Sequence, residues 1–107
     1  MAPPDGRRLD LAVRTFALLA DPTRLKIVWH LRNTELSVNE IAARVEKSPA
    51  TVSQHLGKLR LAAVVRSRRD GNFIHYTLAD NHIGEVVEDA LYHAEHLDPP
   101  ASGGCPG

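Results

Sequence analysis

Residues 37–78, "SVNEIAARVEKSPATVSQHLGKLRLAAVVRSRRDGNFIHYTL", carry most of the signals that decide how this chain folds. Ser37 stands three residues before Glu40, the spacing of a capping box, in which each side chain satisfies a backbone N–H at the other residue. It opens a short helix that ends near Glu46. Ser48-Pro49 repeats the start signal: a serine cap, then a proline in the first turn, where its missing N–H costs nothing. The helix so begun sets Val52, Leu56 and Leu59 on one side, at spacings of four and three. Two β-rich runs follow around Asp70-Gly71, a dipeptide suited to a tight hairpin turn.

Outward from this stretch, Leu9, Ala12, Phe16 and Leu19 recur at helical spacing and predict a first helix. "ADPTRLKIVWHLR" (20–32) predicts a second, with Asp21 as N-cap, Pro22 at the first position and Leu25, Val28, Trp29 and Leu31 buried. A last helix runs from Asn81 to about Leu97. The order is α-α-α-α-β-β-α. Two helices joined by about three residues, then a basic hairpin, are the layout of a winged helix-turn-helix. The fold class is therefore mainly α with a β-hairpin wing. Residues 1–7 and 98–107 are rich in Pro, Gly and small residues and read as flexible ends, leaving 8–97 as one domain. No window approaches the roughly 18 uninterrupted apolar residues of a membrane span. No export signal is read in "MAPPDGRR". The single cysteine, Cys105, excludes a disulfide framework, and these features together predict a cytoplasmic protein without a membrane partner.

The net charge is zero, but it is unevenly spread. Residues 47–69 hold six Lys/Arg and no acid, whereas residues 70–107 hold seven acids and no Lys/Arg. If Val52, Leu56 and Leu59 face the core, then Thr51, Gln54, His55 and Lys58 face out, with Ser48 and Ser53 near the helix start. Gln pairs with adenine edges, Ser and Thr serve bases or phosphate, and Lys suits phosphate or guanine. Arg66, Arg68 and Arg69 in the wing add cations for the DNA backbone or minor groove. A solvated polar face would read the same way taken alone. The cap-proline start, short turn, acid-free window and arginine hairpin in sequence point to double-stranded DNA as partner.

"DNHIGEVVEDALYHAEHLD" (80–98) poses a second question. At 100° per residue, Ile83, Val86, Val87, Ala90, Ala94 and Leu97 form an apolar side. His82, Glu85, Asp89, His93 and His96 form the stripe beside it. His93 and His96, three apart, share a face. His82 lies eleven residues from His93, about 16 Å along a helix, while metal–nitrogen bonds are about 2 Å. One copy cannot close a site. Two antiparallel copies can, since pairing His82 with His93 and Asp80 with His96 both place the twofold axis near residue 88. One oxygen and three imidazoles suit Zn, Co or Ni. Asp80 also reads as the N-cap, while Glu85 and Asp89 read as solvated or dimer-contact charges, and His30 and His75 as structural.

The stretches "LADPTRLKIVWHLR", "LSVNEIAARVEKSPATVSQHLGKLRLAAVV", "RRDGNFIHYTL", "DNH" and "ALYHAEH" resemble the ArsR/SmtB family of dimeric winged-helix metal sensors over about residues 9–97. The resemblance implies a homodimer through the first and last helices that represses from a palindromic operator and is loosened by metal. It places the D-x-H…H-x-x-H metal pattern on Asp80, His82, His93 and His96. "ELSVNEIA" has Ser37 and Asn39 where arsenite-, cadmium- or lead-sensing members carry thiols, which excludes that site. "ALYHAEHL" is most similar to the nickel/cobalt-sensing branch, in which N-terminal ligands can complete an octahedral shell; this N-terminus has no histidine. Four ligands alone suit zinc as well. Other readings are a winged-helix regulator whose last helix is only a dimer seam, and a small metalloenzyme. The enzyme would need an open coordination position and a base in a pocket, which nothing in the sequence marks, so no enzyme is expected. Action with an accessory protein is compatible with all of this, and Cys105 has no resolving partner for redox sensing.

Overall fold

A computed structural model describes residues 2–98 and contains α1 (Gly6–Leu19), α2 (Pro22–His30), β1 (Leu36–Ser37), α3 (Val38–Val45), α4 (Pro49–Leu61), β2 (Val65–Asp70), β3 (Phe73–Leu78) and α5 (Asn81–Leu97). Four of the five helices start at caps read from the sequence: Asp21, Ser37, Ser48 and Asp80 each accept a hydrogen bond from the backbone N–H three residues on. The fifth start was missed. Asp5 caps α1 through the N–H of Arg8 at 2.8 Å, so the helix begins inside the stretch 1–7 expected to be loose. The expected tail 98–107, with Cys105, lies outside the described residues except for Asp98, the C-cap of α5.

The turn between α3 and α4 is Glu46–Ser48, with Glu46 in the left-handed region at φ 58°. At the far end, α4 closes with Ala63 at φ 58°, while Val64 N–H donates to Leu59 at 2.9 Å and Ala63 N–H to Arg60 at 3.0 Å. This Schellman closure satisfies carbonyls the helix would leave open and turns Val64 and Val65 back into the core. The wing follows. β2 and β3 pair antiparallel from Val65–Leu78 to Asp70–Phe73, so the loop is Gly71-Asn72, with Gly71 at φ 63°. The short β1 was not anticipated; Leu36 and Ser37 pair with Tyr76 and His75, making the wing a three-stranded sheet of order β1-β3-β2.

The core joins Ile27, Val28 and Leu31 around α2, Ile41, Ala42 and Val45 of α3, and Val52, Leu56 and Leu59 of α4. Leu36, Val64 and Val65 close it from the sheet side, and Leu19 and Val87 are single contributions from α1 and α5. One expectation of burial fails. Trp29 is 40% exposed, because Ile27 takes the inward position and the indole instead carries the Arg32 guanidinium 4.3 Å above its ring. On α1, Leu9 and Phe16 are exposed and only Leu19 is buried. On α5, Val86, Ala90, Ala94 and Leu97 are exposed, while Val87 and Gly84 face the body.

Gly84 is where α5 meets that body. A Cβ there would stand 3.1 Å from Leu78 Cδ1 and 3.2 Å from Arg32 Cγ, whereas one at Gly57 of α4 would meet nothing within 4 Å. Gly84→Val should therefore lower stability by about 1–3 kcal/mol through overpacking. Gly57→Ala should raise it by up to about 1 kcal/mol through helix propensity. Urea midpoints at one fixed protein concentration check both, and a Gly84→Val midpoint equal to wild type would contradict the close approach.

Candidate nucleic-acid interface and metal-ligand face

The outward side of α4 is divided by what its side chains already hold. Ser48 Oγ accepts from Thr51 N–H at 3.1 Å and donates to Thr51 Oγ1 at 2.9 Å, so the Ser48 hydroxyl is committed to the helix start and holds the Thr51 hydroxyl beside it. Ser53, Gln54 and Lys58 are exposed and make no side-chain hydrogen bond or ion pair among the described residues. His55 is half-buried. Its Nδ1 accepts from Arg24 Nε of α2 at 3.1 Å. Arg24 was not singled out from the sequence, because a residue in the first turn of another helix carries no local mark of a contact with residue 55.

The three wing arginines are likewise unequal. Strand alternation puts Arg66 and Arg68 on one face of β2 and Arg69 on the other. Arg68 is bound to Glu35 by two hydrogen bonds, Nη2 to Oε1 at 2.6 Å and Nε to Oε2 at 3.0 Å, so it ties the wing to the segment before β1. Arg66 and Arg69 are exposed and form no ion pair among the described residues. Arg60, absent from the expected set, reaches Ser67 from α4 at 3.5 Å and adds a cation between helix and wing.

The local charges fit this division. The Arg68 hydrogen bonds hold the Glu35 carboxyl below its ordinary value of 4.5, with the charges of Arg68 and His75 adding to the effect. The backbone hydrogen bond from Arg24 lowers Asp21, and the charge of Arg24 adds to the effect. Burial, then Arg44 and Arg32, pushes His30 below its usual range.

On α5, Asp80 Oδ1 accepts from Ile83 N–H at 3.1 Å as the N-cap, while Oδ2 makes no hydrogen bond among the described residues. At 100° per residue, His82, His93 and His96 point away from the side on which Gly84 and Val87 meet the body. All three are exposed. His82 Nδ1 lies 3.9 Å from Glu85, and His96 stacks edge-on against Tyr92 at 4.9 Å. Among the described residues no three His, Cys, Asp or Glu side chains of a single chain converge on one point, as the separation of His82 from His93 requires. The donors nevertheless suit a borderline ion: three imidazoles and a carboxylate with one oxygen not engaged by the cap. Val86, Ala90 and Leu97 run along the helix beside them, exposed and apolar.

A family described as a helix-turn-helix domain matches residues 19–68. The transcriptional regulator KmtR of Mycobacterium tuberculosis is 49% identical over 89 residues, covering 83% of this chain and 68% of its own length. The transcriptional repressor SmtB of the same species is 40% identical over 93 residues, covering 87% and 69%. Among solved structures, the homodimeric winged helix-turn-helix DNA-binding domain of Mb0332 from Mycobacterium bovis, described as a possible ArsR-family regulator, superposes with a TM-score of 0.77. It is 29% identical and covers 92% of this chain and 94% of that one.

The wing tie yields a pH prediction. The folded pKa of Glu35 is the lower one, so its ion pair stabilises fully above the ordinary value near 4.5 and is lost as pH falls through the folded value. Glu35→Gln should lower the urea midpoint slightly at neutral pH, slightly because the pair is exposed. The deficit should close as pH drops below the ordinary glutamate value. A deficit that does not change with pH would show that the carboxylate charge is not what holds Arg68.

Proposed function

Because the chain belongs to the ArsR/SmtB family of winged helix-turn-helix transcriptional regulators, and is not an enzyme, we propose that it is a cytoplasmic repressor that responds to Ni(II) or Co(II) at a palindromic operator. It acts as a homodimer through α1 and α5. Each chain places Ser53, Gln54 and Lys58 of α4 in a major groove, with His55 at its edge and Arg66 and Arg69 on the flanking backbone. Ser48, Thr51 and Arg68 support that surface from their committed positions at the helix start and the wing base.

The observation that carries the metal reading is the orientation of α5. Its histidines face away from their own body, beside an apolar stripe that the same chain leaves bare. Two such helices packed antiparallel bury the stripe and bring Asp80 and His82 of one chain to His93 and His96 of the other, giving two equivalent sites. A bound ion would supply coordinate bonds that fix one crossing geometry of the two helices. Each α5 is docked on its own α2 by Gly84, Val87 and the 3.0 Å Arg32–Glu88 ion pair. The mutual orientation of the α5 helices therefore sets the spacing of the two α4 helices against successive major grooves. A coupling of about 1–3 kcal/mol is usual for such linkage and changes occupancy by severalfold to about a hundredfold. One feature favours zinc as a second reading: residues 1–29 hold no histidine, and three imidazoles with one carboxylate suit a tetrahedral shell by themselves.

Parallel Ni(II), Co(II) and Zn(II) titrations, read by metal affinity and by release of a palindromic promoter fragment, test this reading. The double variant His93→Ala/His96→Ala should lose tight metal binding and metal-induced release while keeping metal-free DNA affinity. Unchanged metal affinity in that variant would exclude the site. Metal-free affinity should fall linearly with log salt, by about 0.9 log units per phosphate contact.

A further inference from the structure

Arg24 stands where three helices meet. Its N–H is capped by Asp21 at 2.9 Å, its Nη1 donates to the Leu18 carbonyl at 3.3 Å, and its Nε donates to His55 Nδ1 at 3.1 Å. Leu18 is in the last turn of α1, where helix carbonyls lack intrahelical donors and a cation is favoured. The same side chain thus closes the end of α1 and holds the middle of α4.

The bond to His55 has a chemical consequence. A guanidinium only donates, so Nδ1 is an acceptor without a proton. A neutral imidazole with an unprotonated Nδ1 carries its hydrogen on Nε2. Nε2 makes no hydrogen bond among the described residues, and none of their buried side-chain nitrogens or oxygens lacks a partner, so Nε2 is open to solvent. Half-buried His55 therefore offers a single outward function, that of a donor. On DNA this matches phosphate oxygens, purine N7, guanine O6 or thymine O4, and it opposes the cytosine amino group.

We propose that Arg24 is a positioning residue for DNA reading, tying α4 to the end of α1 and holding His55 as an Nε2–H donor toward an acceptor on the DNA. This inference rests on the DNA-binding function proposed above. It gives an arginine remote from the DNA-facing side of α4 an effect on DNA affinity.

The test uses the full chain and a palindromic duplex selected by the wild-type protein from a random library, with a scrambled duplex beside it. Arg24→Met and His55→Asn, the latter keeping an acceptor near Nδ1 but no donor near Nε2, should each weaken selected-duplex binding about tenfold, the order expected for one hydrogen bond with a charged partner. The double variant should lose little more than either single one, because the two act as a unit. An equal loss on the scrambled duplex identifies a phosphate acceptor, and a loss confined to the selected duplex a base edge; either supports the inference. Arg24→Lys keeps the charge but not the two-pronged fork, and it should not restore affinity. Imidazole nitrogen spectra of the free wild-type protein should show His55 Nδ1 unprotonated, a readout that holds even if Arg24→Met fails to fold. Additive losses, wild-type affinity in Arg24→Met or Arg24→Lys, or a proton on Nδ1 would overturn the inference alone. Failure of the wild type to select any duplex would remove the DNA-binding reading as well.

Discussion

The seating of α4 is the constraint from which the rest of the chain follows. Val52, Leu56 and Leu59 are fully buried, and each such side chain contributes about 1.5–3 kcal/mol by leaving water. Spacings of four and three along a straight helix leave one rotation that buries all three. That rotation puts Ser53, Gln54, Gly57 and Lys58 in solvent, together with Leu61, which is 86% exposed. It also aims the wing, because the Ala63 turn returns Val64 and Val65 to the same core before β2 leaves it. The reading surface and the direction of the hairpin are thus two consequences of one packing decision.

A second constraint is apolar surface that one chain cannot cover. The radius of gyration is 15.9 Å, against about 13 Å for a compact domain of roughly 100 residues. On α1 and α5, Leu9, Leu11, Val13, Phe16, Val86 and Leu97 are exposed. An exposed patch of that kind marks a partner surface rather than a solvated face. The proposed homodimer covers both helices with their counterparts and lays the histidine stripe of α5 along the same seam.

These two constraints explain what the sequence disclosed. Caps are local, satisfied within four residues, so Asp21, Ser37, Ser48 and Asp80 were legible, as was the Asp70-Gly71 turn. Periodicity identifies an apolar side but not which chain covers it, so it could place Phe16 and Val86 on apolar sides without showing that their own chain leaves them exposed. β1 is two residues long and has no period; only its pairing with Tyr76 and His75 reveals it. Arg68 and His55 looked like free DNA contacts because Glu35 and Arg24, 33 and 31 residues away, cannot be paired with them by spacing. The limit on the α5 histidines, by contrast, was legible in full, since the rise per residue alone forbids a site within one helix.

Helix α2 brings these findings together. Near its start, Arg24 grips His55 of α4 and the end of α1; just beyond its end, Arg32 pairs with Glu88 of α5 and lies over Trp29. Its middle, Ile27 and Val28, is wholly inside the core, so the helix cannot bend between these grips without opening that core. α5 also rests on Leu78 beneath Gly84, at the end of the strand that pairs with β2. In the proposed dimer, a change in how the two α5 helices cross would therefore arrive at two places, the C-terminal end of α2 and the base of the wing. From the first it reaches the reading helix through a rigid rod with an arginine at each end. From the second it reaches Arg66 and Arg69 through the β3–β2 pairing. The proposed linkage needs no separate hinge, because the helix that completes the core touches α4, the proposed reading helix, at one end and α5, the proposed sensing helix, at the other.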